Sequence, residues 1–160
     1  MAPVSEVYFY TYTTNKYNYT PQAPISSATT ASQSEVWNEP LIKLYSSDKK
    51  TQVGYIALCG QARYDPLNDG SNNTQLIYET GVIFMTKNNS LDINSILGSL
   101  SYNNAYIYKE NSSGIIVRSD DPTSIATSVT GKYAGKVVSL TQKVVNGKTG
   151  ETKLTIEYEK

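Results

Sequence analysis

The C-terminal stretch Lys136–Glu159 (KVVSLTQKVVNGKTGETKLTIEYE) decides the fold class. Residues 136–145 are rich in β-branched side chains, which are enriched in strands. The Asn146-Gly147 pair that follows is the strongest short-range signal for a β-hairpin. Beyond it, apolar and polar residues alternate through residues 151–159, as expected for a strand with one buried face. The stretch therefore predicts an antiparallel hairpin.

The rest of the chain repeats this pattern of short alternating runs separated by turn residues. We find no convincing amphipathic helix; Leu91–Leu100 fits a strand or a helix by pattern, and we assign it as a strand. Residues 14–34, with two prolines and a Ser/Thr/Ala run, predict a polar loop or arm. The other predicted strands are Val4–Thr13, Asn38–Tyr45, Val53–Tyr64, Thr74–Met85, a short hairpin of Ala105–Tyr108 and Ile115–Val117, Ser124–Val129, Lys136–Val145 and Glu151–Glu159. About eight strands predict an all-β antiparallel barrel or sandwich, formed by residues 1–160 as a single domain.

Composition excludes several classes of functional site. The chain has no His and one Cys, which removes Ser-His-Asp and Cys-His catalytic groups, His-bearing zinc sites and an internal disulfide. We therefore expect no metal site. Fourteen basic residues balance 14 acidic residues, so we expect no basic surface for nucleic acid.

The sequence also carries an expectation about location. No apolar run approaches the roughly 18 residues that span a bilayer, so we expect no membrane partner. Residues 1–10 lack the basic region and apolar run of a secretory signal. We therefore expect a cytoplasmic protein.

Tyrosine accounts for 14 residues, against two Phe and one Trp. In the first predicted strand, Val7 and Phe9 alternate with Tyr8, Tyr10 and Tyr12. If Val7 and Phe9 face the interior, the three tyrosines form an outward stripe. Such a stripe is typical of a subunit interface, here of a homotrimer or homodimer. Cover by the arm at residues 14–34 is the alternative.

Three short motifs occur in an order and spacing similar to those of a known superfamily. They are Lys43-Leu44-Tyr45 followed by Val53-Gly54, the Leu58-Cys59 pair, and residues 129–136 (VTGKYAGK). With them the chain resembles the allene oxide cyclase-like barrels, which include dirigent proteins and small bacterial polyketide cyclases. The resemblance covers Val4 to Tyr158, nearly the whole chain.

The resemblance implies an eight-stranded antiparallel barrel, often trimeric, with an apolar cavity at one end. It implies a small apolar ligand and no metal or organic cofactor. It also implies catalysis mainly by shape, in which a flexible substrate is held in the conformation that cyclises. Thr13 and Ile42 stand near positions where plant cyclases carry water-holding Asn residues, which argues against allene oxide cyclase activity itself.

The same resemblance places Tyr78-Glu79 in the strand where family members carry a catalytic Glu or a substrate-contacting Tyr. One residue of register decides which of the two faces the cavity. Glu79 is accordingly either a desolvated cavity acid or a solvated strand carboxylate. These two residues are our candidate catalytic pair.

The candidate ligand-binding residues are Phe9, Thr13, Trp37, Tyr55 and Cys59. Each also has a structural interpretation. Cys59 is either a cavity thiol or a small buried hydrophobe, and Trp37 covers either a pocket or the barrel end. Tyr55 and Tyr78 either donate to a ligand carbonyl or pack in the wall, whereas Tyr133 belongs to a tight bend and is structural.

These features support two functional hypotheses of different class. The first is a cofactor-free barrel that binds an apolar polyketide, polyene or oxylipin-like molecule and catalyses its cyclisation or isomerisation, with a plain ligand carrier as a variant. The second is a non-catalytic structural or assembly protein that uses the same barrel as a building block.

Overall fold

A computed structural model describes residues 2–11, 20–21, 34–38, 41–64, 72–111, 116–119, 121–128 and 130–160. Within these ranges the chain is all-β, with a single short 3₁₀ helix at Ile93–Ser95. The strands are β1 (Val4–Thr11), β2 (Thr20–Pro21), β3 (Ser34–Asn38), β4 (Ile42–Ser46), β5 (Gln52–Tyr64), β6 (Asn72–Thr86), β7 (Ile96–Asn111), β8 (Ile116–Ser119), β9 (Thr123–Ala126), β10 (Val138–Asn146) and β11 (Glu151–Tyr158). The predicted all-β class is confirmed.

Eight of these strands form an antiparallel, nearly closed barrel, in the order β7-β6-β5-β4-β1-β11-β10-β9. The chain leaving β9 meets β7 and closes the circle. There Ser101 and Thr127 each donate a backbone N–H to the other's carbonyl oxygen at 2.9 Å. Gly98 and Gly131 form a second bridge of this seam. Pairing across the seam makes the fold a barrel, which the sequence pattern left open against a sandwich.

Two strands, β3 and β4, pair one after the other along the same edge of β5. Asn38 at the end of β3 lies opposite Cys59, and Ile42 at the start of β4 lies opposite Ile56. Four residues of chain on this edge therefore correspond to three on β5. The predicted single strand Asn38–Tyr45 is wrong in this respect, because Asn38 and Ile42 belong to separate strands with different registers.

Other predicted boundaries shift. The predicted strand Leu91–Leu100 is a strand only from Ile96 onward, because Asp92 caps the 3₁₀ helix by accepting from the Asn94 N–H. The predicted hairpin of Ala105–Tyr108 and Ile115–Val117 is present as the antiparallel pair β7 and β8, but the residues that pair are Tyr108–Glu110 and Ile116–Ser119. Ile115 lies outside the described residues. Of the predicted arm, the structure describes Thr20–Pro21, which pairs with β3, and Ser34; the remainder lies outside the described residues.

The barrel interior holds the apolar core. Burial of each Leu or Ile side chain contributes about 1.5–3 kcal/mol, so these residues dominate the stabilisation. The core cluster comprises Tyr8, Tyr10, Ile42, Leu44, Ile56, Leu58, Ile83, Met85, Leu100, Tyr102, Ala126, Tyr133, Val138, Leu140, Leu154 and Ile156.

The predicted outward face of Tyr8 and Tyr10 is wrong, because both are core residues, 8% and 1% exposed. Their cross-strand partners on β11 are Leu154 and Thr152, which are also buried. Directly opposite residues of an antiparallel pair share a face, so this register turns both tyrosines inward. Tyr12 lies outside the described residues. A homo-oligomer stays a prediction, and Tyr8 and Tyr10 cannot form its interface.

Candidate functional site

Glu79 on β6 is fully buried in the barrel interior. Its cross-strand neighbours are Gly60 on β5 and Asn104 on β7. Gly60 places no side chain beside the carboxyl in this cross-strand row. Burial of an ionisable group is costly unless hydrogen bonds replace its water, so its partners are informative.

Three neutral groups of the described part of the chain donate hydrogen bonds to this carboxylate. Tyr102 Oη and Gln142 Nε2 reach Oε1 at 3.0 and 3.1 Å, and Tyr106 Oη reaches Oε2 at 3.1 Å. An ionised carboxylate accepts all three, since it offers about four lone-pair sites. The arrangement therefore accommodates a charged Glu79 away from solvent.

Gln142 on β10 connects this carboxylate to further polar groups. Its Nε2 also donates to Tyr10 Oη at 2.7 Å and approaches Tyr102 Oη at 3.2 Å. Its Oε1 accepts from Asn104 Nδ2, which determines the orientation of the amide. We call these six residues the Glu79 cluster: Tyr10, Glu79, Tyr102, Asn104, Tyr106 and Gln142.

Gly81 determines where the Tyr102 ring lies. A Cβ at Gly81 would stand 2.4 Å from both Cζ and Oη of Tyr102, so the ring occupies the space of the missing side chain. Burial raises the pKa of the Tyr102 phenol well above its usual value, and the nearby Glu79 charge raises it further. Tyr102 therefore stays protonated and acts as a hydrogen-bond donor.

Tyr106 is the least buried member of the Glu79 cluster. The other five side chains are buried, whereas Tyr106 is half-buried. Its cross-strand neighbour on β6 is Ile77, which is 5% exposed. The least buried member of the cluster therefore lies beside an apolar side chain.

The structure separates the candidate catalytic pair. Tyr78 is 54% exposed and lies on the opposite face of β6 from Glu79. Its interpretation as an interior substrate-contacting residue is wrong, because neighbours in a strand point to opposite faces. Glu79 is the residue of the pair that lies inside.

Three candidate ligand-binding residues lie on the outer face of the barrel wall, which corrects their predicted interior placement. Phe9 alternates with buried Tyr8 and Tyr10, and the Lys49 ammonium lies 4.4 Å from its ring centroid. Tyr55 and Cys59 are half-buried and alternate with the core residues of β5. The Tyr55 hydroxyl donates to the Asn89 carbonyl at 2.7 Å, a structural role.

The remaining two ligand-binding candidates are Thr13 and Trp37. Thr13 lies outside the described residues. The Trp37 backbone lies opposite Gly60, which in turn lies opposite Glu79. Trp37 therefore occupies a register position in the same cross-strand row as Glu79.

Sequence reasoning missed five residues of the cluster: Tyr10, Tyr102, Asn104, Tyr106 and Gln142. A signal existed for Gln142, because it follows Val138 and Leu140 at two-residue spacing and is thus a polar residue on an apolar face. Tyr102, Asn104 and Tyr106 share the same spacing. Tyr102 and Asn104 of β7 meet Gln142 of β10 across the barrel interior. The spacing of residues within one strand does not reveal that contact.

A second polar cluster lies near the opposite end of the barrel, around Glu6. Its carboxylate accepts from Lys132 Nζ at 2.8 Å and from the hydroxyls of Tyr8, Tyr133 and Tyr158 at 2.9, 2.7 and 3.1 Å. Lys132 and Tyr133 belong to the bend in which Gly131 and Gly135 have positive φ. These bonds join β1, β11 and the bend, so we interpret this Glu6 cluster as structural.

Burial alone would raise the pKa of the Glu6 carboxyl, but hydrogen bonds from Lys132, Tyr133 and Tyr8 outweigh it and hold the pKa below 4.5. A lowered folded-state pKa stabilises the fold above the unfolded pKa, and this stabilisation is lost as pH falls through the folded pKa. We therefore expect wild type to be more stable than Glu6→Gln at pH 7. The difference should shrink below about pH 4.5.

Urea titrations of both proteins from pH 7 to pH 3 check this expectation. A Ser5→Ala variant, which changes an exposed neighbour, serves as the control and should follow wild type throughout. A stability difference that does not depend on pH would contradict the Glu6 assignment.

Among the described residues, no group of three or more His, Cys, Asp or Glu side chains is placed to hold a metal ion. Within the described ranges, no helix is long and apolar enough to cross a membrane. A scan against protein-family models found no match, and a search of curated proteins likewise found no match. We take the Glu79 cluster as the candidate functional site.

Proposed function

We propose that this chain is a cofactor-free barrel that binds an apolar small molecule and catalyses its cyclisation or isomerisation. The observation that carries the proposal is Glu79, a fully buried carboxyl that accepts hydrogen bonds from Tyr102, Tyr106 and Gln142 inside an eight-stranded barrel. Barrels of about eight strands are just wide enough to hold one small ligand.

The polar composition of the Glu79 cluster supports a functional interpretation. Apolar side chains of similar volume would fill a barrel interior at no desolvation cost, as Leu and Ile do elsewhere in this core. A buried carboxyl with two phenols is instead the kind of group that catalysis by proton transfer requires. Ile77 beside Tyr106 supports an apolar ligand.

We further propose a barrel of the allene oxide cyclase and dirigent type. What supports this is the bend at residues 131–135, where Tyr133 is buried and both glycines have positive φ. In this proposal the barrel wall holds a flexible ligand in its reactive conformation, and Glu79 moves a proton within it.

The test uses cis-parinaric acid, a fluorescent conjugated tetraene, as a polyene probe. We expect saturable binding to wild type, and conversion of the bound probe seen as a change in its tetraene absorbance and by chromatography. Glu79→Gln should keep the binding and lower conversion by about 100-fold, the usual contribution of an acid–base group. Tyr78→Phe is the matched control on the outer face and should behave as wild type.

Binding without conversion would favour a ligand carrier, and no saturable binding would contradict the proposal. The structural alternative is favoured by one observation: Leu76 and Ile107 are cross-strand neighbours on the outer wall and are 55% and 45% exposed, with Tyr78 nearby. Light scattering separates the two functions, since an extended polymer indicates assembly and a discrete particle favours the binding barrel.

A further inference from the structure

The outer face of β6 and β7 carries exposed apolar side chains. Leu76 and Tyr78 on β6 are 55% and 54% exposed, and Ile107, directly opposite Leu76 on β7, is 45% exposed. Side chains two residues apart in a strand lie on one face, and directly opposite residues share a face. These three side chains therefore form one apolar surface on the outside of the sheet.

Basic residues occupy the register positions next to this apolar surface. Arg63 on β5 lies opposite Leu76. Lys109 follows Ile107 by two residues on β7, and Arg118 on β8 lies opposite Lys109. Arg63 and Arg118 are the two arginines of the sequence. Strand pairing thus brings both arginines and a lysine to the border of the apolar surface.

The described positions that complete these cross-strand rows carry no acidic residue. Gln61 and Ala105 lie opposite Tyr78, and Thr74 on β6 lies opposite Lys109. The face therefore combines apolar and basic residues. We call it the basic-apolar patch: Arg63, Leu76, Tyr78, Ile107, Lys109 and Arg118.

The charge of the patch argues against a two-fold symmetric dimer through this face. Such a dimer places the same surface of both protomers against each other, so the patch would meet its own positive charge. Like charges brought together across an interface lower affinity. The patch instead complements a partner that is negatively charged and that also offers an apolar phase.

The aliphatic side chains of the patch favour an anionic lipid surface over a nucleic acid. Leu76 and Ile107 gain from contact with acyl chains, whereas proteins that bind single strands stack bases on aromatic rings. Tyr is enriched at the boundary between headgroups and acyl chains, and Arg and Lys attract anionic headgroups. Such contact needs no segment that spans the bilayer, so the short apolar runs of the sequence do not argue against it.

We propose that the basic-apolar patch docks the protein onto membranes that contain anionic phospholipids. Leu76 and Ile107 then lie at the boundary between headgroups and acyl chains, and the basic residues lie at the level of the headgroups. The inference does not depend on the proposed function, because the patch lies on the opposite face of β6 from the buried Glu79.

Vesicle sedimentation tests the docking with two compositions: phosphatidylcholine alone, and equal parts phosphatidylcholine and phosphatidylserine. We expect wild type to sediment with the anionic vesicles in preference to the neutral ones, and to be released as salt is raised. Lys109→Gln should weaken binding about fivefold, the usual contribution of one basic residue near an anionic membrane. Lys43→Gln removes an exposed lysine of β4 and is the matched control, which should bind as wild type.

A second pair of variants tests the apolar part of the patch. Leu76→Ser should weaken binding about tenfold, because the leucine side chain no longer leaves water on docking. Ile125→Ser changes a 65% exposed side chain on β9 and should leave binding unchanged. If Leu76→Ser unfolds, the lysine pair and the preference of wild type for anionic vesicles decide the question.

Equal binding of wild type to both vesicle types, or equal effects of Lys109→Gln and Lys43→Gln, overturns the docking by charge. Absence of sedimentation with anionic vesicles overturns the proposal, and binding of single-stranded DNA in its place would identify a nucleic acid as the partner. Self-association that Leu76→Ser abolishes would likewise overturn the proposal, in favour of a second copy of the chain.

Discussion

Replacing Gly131 by alanine is expected to destabilise the barrel by about 3 kcal/mol, from left-handed backbone strain together with steric overlap. Gly131 has φ of 66° and lies at the seam between β9 and β7. A Cβ there would stand 1.9 Å from the Leu97 carbonyl oxygen and 2.4 Å from Gly98 Cα. These are backbone atoms, so relief of the overlap requires β7 to move away from the bend.

Gly135 provides the matched control within the same bend. Its φ is 70°, but a Cβ there would meet nothing within 4 Å. Gly135→Ala therefore carries the conformational strain alone, about 1 kcal/mol. Urea denaturation of both variants measures the difference, and equal losses of stability would contradict the steric argument.

We also predict which part of the barrel Gly131→Ala destabilises most, namely the seam between β9 and β7. The amides of Ser101 and Thr127 form the reciprocal hydrogen bonds of the seam. In Gly131→Ala we expect their hydrogen exchange to accelerate more than that of amides in the β10–β11 ladder. Uniform acceleration would indicate global destabilisation without opening of the seam.

Replacing Glu79 by leucine is expected to lower the free energy of unfolding by about 1–3 kcal/mol, although it removes a buried charge. The buried Tyr102 hydroxyl loses its acceptor, whereas the Gln142 amide keeps the hydroxyl oxygens of Tyr10 and Tyr102 as acceptors.

A second substitution distinguishes stranded donors from simple loss of packing. Glu79→Leu combined with Tyr102→Phe removes both partners of one hydrogen bond, so the double variant should lose less stability than the two single variants summed. Tyr78→Phe, which changes an exposed neighbour, should remain within about 0.5 kcal/mol of wild type. Strict additivity of the two single changes would contradict the hydrogen-bond network.

Several features of the fold could be predicted from local patterns. Alternation of apolar and polar residues identified the strands, and Asn146-Gly147 identified the hairpin between β10 and β11. Turn chemistry at residues 131–135 identified a bend. These features depend on interactions between residues close in sequence, which a single chain displays directly.

Pairing between strands distant in sequence decided whether each side chain points into the barrel or out of it. In β1 both alternating faces carry large apolar or aromatic groups, so the pattern did not distinguish Tyr8 and Tyr10 from Val7 and Phe9. The register with β11 did, and it reversed the expected orientation. A shift of one residue turns every side chain of a strand to its other face.

The candidate site shows the same division. The sequence by itself determined an all-β chain without His, with one Cys and with an acidic residue at Glu79 inside an apolar strand. Only the tertiary structure decided that Glu79 rather than Tyr78 faces inward and that Tyr102, Tyr106 and Gln142 surround it. Hydrogen bonds inside the barrel join residues far apart in sequence: Gln142 and Glu79 are 63 positions apart, and Gln142 and Tyr10 are 132 positions apart. Such contacts arise from closure of the sheet, which no local pattern encodes.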